Sequence, residues 1–160
     1  CLAFDLAGNA LSAGPVTFVG ATVDAFSLVR TGTGGGAVTV TPTVTTASGA
    51  TVVTLTFSGS LVENGSLGDG NYTLTVLGSQ VQNTTGLMGT DRTLNLHRLY
   101  GDSNGDKAVN GLDLTAFRNA FGTVSTDAAY SVFLDWNGDG AINGTDLTQF
   151  RNRFGTTLAP

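Results

Sequence analysis

The chain is predicted to fold as an N-terminal all-β sandwich over residues 1–98 and a small all-α unit over residues 99–160. Three observations carry that expectation. Thr, Val, Ser and Gly dominate the first part, a composition of strands joined by tight turns. Beyond Tyr100 apolar residues recur at helical rather than strand spacing. An acidic stretch, DSNGDKAVNGLD from Asp102 to Asp113, returns 33 residues later as DWNGDGAINGTD from Asp135 to Asp146.

The strands follow from short runs of β-branched and aromatic residues, several alternating apolar and polar. These runs are Val16–Val19, Phe26–Arg30, Val38–Thr41, Val52–Phe57, Tyr72–Val76 and Leu94–His97. Turn-forming clusters at 31–36, 47–50, 63–70 and 83–89 separate them. About seven short strands at this spacing predict a sandwich. Asp69-Gly70-Asn71-Tyr72-Thr73-Leu74 resembles the tyrosine corner of immunoglobulin-like sandwiches, with Leu74 where antibody domains carry Cys. Asp5-Leu6-Ala7-Gly8-Asn9 is similar to turns common in such domains. The resemblance implies a disulfide-free, bacterial type of Ig-like domain.

In the second part, Leu114, Phe117 and Phe121 fall on one helix face, and Leu147, Phe150 and Phe154 repeat them at the same 33-residue offset. The repeating unit is therefore an acidic loop plus a helix. Ser125 or Thr126 is placed to cap a further short helix over Asp127 to Phe133.

The crowded carboxylates need a partner charge, and calcium supplies it. A hard cation takes six to eight oxygens, which a twelve-residue loop delivers from positions 1, 3, 5, 7, 9 and 12. In the loop over 102–113 these are Asp102, Asn104, Asp106, the Ala108 carbonyl, Asn110 and Asp113. In the loop over 135–146 they are Asp135, Asn137, Asp139, the Ala141 carbonyl, Asn143 and Asp146. Val109 and Ile142, at position 8, are expected to face the core and pair the loops across a short β-bridge. Gly140 sits where such loops turn sharply; Lys107 takes that place in the first loop, straining the backbone without removing a ligand. Six of the chain's 12 acidic residues are thereby ligands, and two Ca²⁺ would bring the formal charge from −5 to −1.

The doubled pattern D-x-N-x-D-x-x-[VI]-N-x-x-D-L-x-x-F-R, with Asp rather than Glu at position 12, resembles the dockerin family over about residues 100–156. Together with the β-rich part, it is similar to the C-terminal region of large planctomycete-type extracellular proteins. The resemblance implies a secreted or cell-surface, non-catalytic module that plugs into a cohesin domain, either helix able to face the partner. A hydroxyl pair at loop positions 10 and 11 often sets partner choice in that family. Here Gly111-Leu112 and Gly144-Thr145 match only at Thr145, which puts an ordinary cohesin in question. Arg118, Arg151 and Arg153 form a candidate contact strip, or a solvated face.

Composition removes other classes. A charge of −5 argues against nucleic acid and anionic membrane surfaces. No apolar run nears the ~20 residues needed to span a bilayer, and any signal peptide is expected to lie outside this sequence. Cys1 is either a lipoprotein-type N-terminus or an incidental residue, and a single Cys makes no disulfide framework. With most carboxylates taken by calcium, Glu63 the only Glu, His97 the only His and no internal Cys, neither a paired-carboxylate active site nor a zinc or thiol centre is expected, and no small-molecule substrate. Two readings remain: a calcium-dependent anchor of a larger extracellular protein, or a structural subunit whose copies stack in a surface layer or fibril. Asn64, Asn71 and Asn83 lie in glycosylation sequons, and Thr-rich strands add O-linked positions. Tyr100 and Trp136 are expected to pack where the two parts join, with no flexible spacer between them.

Overall fold

The computed structural model describes residues 2–5, 15–47 and 49–159. Two compact units emerge. One comprises residues 1–67 and 71–96, the other residues 68–70 and 97–160.

The first unit is built on one large six-stranded sheet. Its strands are β1 (Leu2–Asp5), β3 (Phe26–Arg30), β4 (Gly36–Ala47), β5 (Ala50–Ser58), β8 (Gly70–Val76) and β11 (Arg92–Arg98), in spatial order β1-β5-β4-β3-β8-β11, antiparallel from β1 through β8. The long β4–β5 hairpin runs in register from Thr39 opposite Ser58 to Ala47 opposite Ala50. β3 pairs with β4 on one side and β8 on the other. Short strands complete the unit: β2 (Thr17–Phe18), β9 (Val81–Asn83) and β10 (Gly86–Leu87) form a three-stranded sheet, and β6 (Val62–Glu63) and β7 (Ser66–Leu67) a hairpin. Period-two alternation puts Leu28, Val38, Val40, Val53, Leu55, Tyr72, Leu74 and Val76 in one core, where Val81 and Leu67 of the short strands join them. On the other face Thr39, Thr41, Thr43 and Thr56 are exposed, which accounts for the threonine-rich composition.

This architecture corrects the expected sandwich plus all-α domain. Among the described residues every strand of four residues or more hydrogen-bonds into the six-stranded sheet, so the short two- and three-residue strands make no second layer of matching size. Tyr72 and Leu74 are buried as the tyrosine-corner reading required, yet they lie on a central strand of this one sheet. The motif at Asp5 to Asn9 lies outside the described residues apart from the Asp5 backbone, as does Cys1.

The second unit is not all-α either. It holds two ten-residue helices, α1 (Gly111–Ala120) and α2 (Gly144–Arg153), within a frame of loops and β-bridges. The helix expected over Asp127 to Phe133 is a run of turns, with hydrogen bonds from Asp127 to Val124 and from Tyr130 to Asp127 but no continuous ladder. The Asp127 carboxylate accepts from the Val124 N–H (2.9 Å) and holds a turn there instead. Phe117 and Phe150 are 1% exposed and stack with centroids 4.8 Å apart at the centre of a core shared with Leu99, Tyr100, Val109, Leu134 and Ile142. Phe121 and Phe154, expected on the same helix face, sit at the C-caps and are about half exposed.

Candidate metal centre

Both acidic loops fold the same way because each first-position carboxylate gathers the backbone that follows it. Asp102 Oδ1 accepts from Gly105 N (2.7 Å) and Oδ2 from Lys107 N (2.9 Å). Asp135 accepts from Gly138 N and Gly140 N, both at 2.8 Å. The position-5 carboxylates repeat the theme two residues on, Asp106 accepting from Ala108 N and Asp139 from Ala141 N, each at 2.9 Å. Position 6 takes a left-handed conformation in both, φ +68° at Lys107 and +83° at Gly140, as the turn requires.

The position-12 carboxylates reach both the loop entry and the helix start. Asp113 accepts from Ser103 N and Asn110 N, both at 2.8 Å, and Asp146 from Trp136 N (2.7 Å) and Asn143 N (2.8 Å). Asn110 and Asn143 in turn accept from Leu112 N and Thr145 N, so positions 9 and 12 form capping boxes that start α1 and α2. Each cap contributes roughly 1 kcal/mol to its helix. Two of the six expected ligand positions in each loop, 9 and 12, thus also start its helix.

Val109 and Ile142 are fully buried, as expected. The loops do not pair with each other, however. Val109 exchanges backbone hydrogen bonds with Gly155 and Thr156 after α2, and Ile142 with Gly122 and Thr123 after α1. Each loop is therefore bridged to the segment that follows the other repeat's helix, at Ala108–Thr157 and Val124–Ala141.

Hydrogen bonds favour the charged form of one carboxylate in each loop. Burial pushes the Asp113 carboxyl up, but hydrogen bonds from Asn110, Ser103 and Asn104 outweigh it and hold the group below the ordinary range. The Asn137 amide, with the Ala141 N–H, does the same for Asp139. Among the described residues no three His, Cys, Asp or Glu side chains form a ready-made metal cluster. In each loop the position-5 carboxylate also accepts from the position-3 amide, Asn104 Nδ2 to Asp106 Oδ2 at 2.9 Å and Asn137 Nδ2 to Asp139 Oδ2 at 2.8 Å. The donor set itself, three carboxylates and two amide oxygens per loop with no sulfur, fits a hard divalent cation.

Several neighbours escaped sequence reasoning. His97 places Nε2 3.0 Å from Asp102 Oδ2. Tyr130 donates its hydroxyl to Asp135 Oδ2 (2.7 Å), a bond that pushes the phenol pKa up to about 12. Tyr100 is buried, and its hydroxyl donates to the Leu134 carbonyl at 2.6 Å, with the Asp146 carbonyl 3.3 Å away. Burial first, and then Asp146, raise the Tyr100 phenol well above its ordinary value, so it stays a protonated donor. Asp69 accepts from Arg98 Nη1 and Tyr100 N, both at 2.7 Å, and from Arg153 Nε. Asp69 opens the stretch read as a tyrosine corner, but nothing local marks its ionic role; its partners lie 29 to 84 residues away.

The helices also frame a groove of about 520 Å³ lined by Leu114, Phe117, Arg118 and Phe121 of the first repeat and Leu147, Phe150, Arg151 and Phe154 of the second. Arg118 and Arg151 thus join one surface, whereas Arg153 turns to Asp69.

Residues 100–155 match the family model of the dockerin type I domain, which takes in both loops and both helices. The chain also resembles two crystal structures of type II cohesin–X–dockerin complexes from Acetivibrio cellulolyticus, both interface mutants. One is 22% identical with a TM-score of 0.34, covering 91% of this chain and 93% of that one. The other is 21% identical with a TM-score of 0.35, covering 91% and 97%. No curated protein matches the chain. A dockerin is a non-catalytic assembly module, typically carried by extracellular or cell-surface proteins. Among the described residues no helix is long and apolar enough to cross a membrane.

Proposed function

We propose that this chain is a calcium-dependent attachment module of an extracellular protein. Asp102, Asn104, Asp106, the Ala108 carbonyl, Asn110 and Asp113 hold one Ca²⁺; Asp135, Asn137, Asp139, the Ala141 carbonyl, Asn143 and Asp146 hold the other. The observation that carries this reading is the repetition of one hydrogen-bond pattern, position by position, in two acidic loops inside the dockerin-matching stretch. Bound calcium supplies the positive charge that lets three carboxylates share each loop.

The chain's own residues connect that charge to a binding surface. Asp113 and Asp146 accept from the N-cap backbones, so drawing them toward an ion orders the first turns of α1 and α2. Those helices carry Leu114, Phe117, Leu147 and Phe150 in the groove, flanked by Arg118 and Arg151. A partner offering an apolar ridge with nearby carboxylates complements this surface, and a cohesin-like domain is the partner proposed.

Calorimetric titration tests the reading. Two Ca²⁺ per chain are expected, together with loss of helical circular dichroism on adding EGTA. A helical signal indifferent to EGTA would remove calcium from the account. Light scattering with calcium separates the two forms of attachment: a monomer that binds a cohesin supports the anchor, while growth into large assemblies without any partner supports the self-stacking subunit.

A further inference from the structure

Asp69, between β7 and β8 in the chain, belongs to the second unit. Its carboxylate accepts from the Arg98 guanidinium, the Arg153 guanidinium and the Tyr100 N–H. Arg98 and Arg153 both lie against the Tyr100 ring, 5.6 and 5.4 Å from its centroid. Two guanidinium groups against one ring repel each other; the Asp69 charge offsets that repulsion and holds both in place. The ring so held is 2% exposed. Its hydroxyl reaches the carbonyl of Leu134, the residue before the first ligand of the second loop, and lies near that of Asp146, the last ligand.

The first loop has no counterpart of this arrangement. One repeat later, the position of Tyr100 is taken by Phe133, which lacks a hydroxyl and is 79% exposed. One repeat earlier, the position of Arg153 is taken by Ala120. The hydroxyl contact that spans a loop's entry and exit is therefore made at one member of a near-symmetric pair, while the first loop has a different contact, from His97 to Asp102.

We infer that Asp69 is a positioning residue for the second calcium loop: through Arg98, Arg153 and the Tyr100 ring it sets the spacing between the loop's entry and exit. The inference rests on the calcium reading above. Outer residues that orient metal ligands typically change affinity by tenfold or more when lost. A role confined to general stability would weaken both loops alike, so the first loop serves as an internal control.

The test is a calcium titration of the full chain, ¹⁵N-labelled, read at two backbone amides. Gly140 N–H reports the second loop through its bond to Asp135, and Lys107 N–H the first through its bond to Asp102. Asp69→Asn keeps the shape and removes the charge; Tyr100→Phe removes only the hydroxyl and guards against a first variant that does not fold. Both variants are expected to shift the Gly140 midpoint to about tenfold higher calcium while the Lys107 midpoint stays within about twofold. Equal shifts at the two amides, or none at either, would overturn the positioning role. If neither amide of the unsubstituted chain responds to calcium, the calcium reading itself falls, and the positioning role with it.

Discussion

Position 6 of the two loops offers a matched pair of substitutions. Lys107 and Gly140 make the same backbone bonds: each N–H donates to the first-position Asp, at 2.9 and 2.8 Å. Each carbonyl accepts from the segment bridged to it, Leu158 N at 2.9 Å and Ser125 N at 2.8 Å. Both residues have positive φ, so the difference between them is the Cβ. A Cβ added at Gly140 would meet Ser125 Oγ at 3.5 Å and Ser125 Cβ at 3.7 Å, ordinary contacts that leave backbone conformation as the cost. The left-handed region costs an L-residue roughly 1–2 kcal/mol, and the lower unfolded-state freedom of Ala returns about 0.4–1 kcal/mol. Gly140→Ala should therefore destabilise by about 0.5–1 kcal/mol, and Lys107→Gly should stabilise by a similar amount. In a small unit each kcal/mol moves the melting temperature by roughly 4–8 °C, well within the reach of calorimetry. Scanning both variants in saturating calcium should show shifts of opposite sign. Shifts of the same sign, or a neutral Gly140→Ala, would refute the claim that backbone strain distinguishes the loops.

Three further expectations can be checked directly. Gly101 has φ +93°, and a Cβ there would meet the Phe150 ring at 2.9 Å and Val109 at 3.1 Å, so Gly101→Ala should cost about 2–4 kcal/mol in urea unfolding. The calcium-free chain should lose stability at both pH extremes. The depressed Asp113 carboxyl stabilises the fold at pH above its ordinary 3.8, and that contribution disappears as acid titrates the group below it. Tyr130 has the opposite sign: its raised pKa stabilises fully below the ordinary 10 and the contribution fades as pH rises toward about 12, which phenolate absorbance and Tyr130→Phe would show. The Asn83 side-chain nitrogen is buried and its oxygen is held by Thr85, so glycopeptide mass spectrometry should find Asn83 unmodified in the folded protein, with exposed Asn64 the accessible sequon.

What was legible in the sequence is what short segments decide for themselves. The acidic loops and the helices after them repeat at a fixed offset, and their caps, turns and apolar spacing act within about a dozen residues. Most strands were legible for the same reason, since a period-two pattern such as that of Phe26 to Arg30 marks one buried face locally. The tertiary structure alone decided how those strands combine. Nothing local in β3 says that it lies between β4 and β8, or that all the long strands join one sheet and leave no matching second layer. It also decided that each loop bridges to the segment after the other repeat's helix, and that the turns over 125–134 yield no helix. Asp69 is the sharpest case. In the sequence it belongs to a glycine-flanked turn; its bond to Arg153 spans 84 residues, a pairing that depends on how the intervening chain folds and that no local pattern encodes.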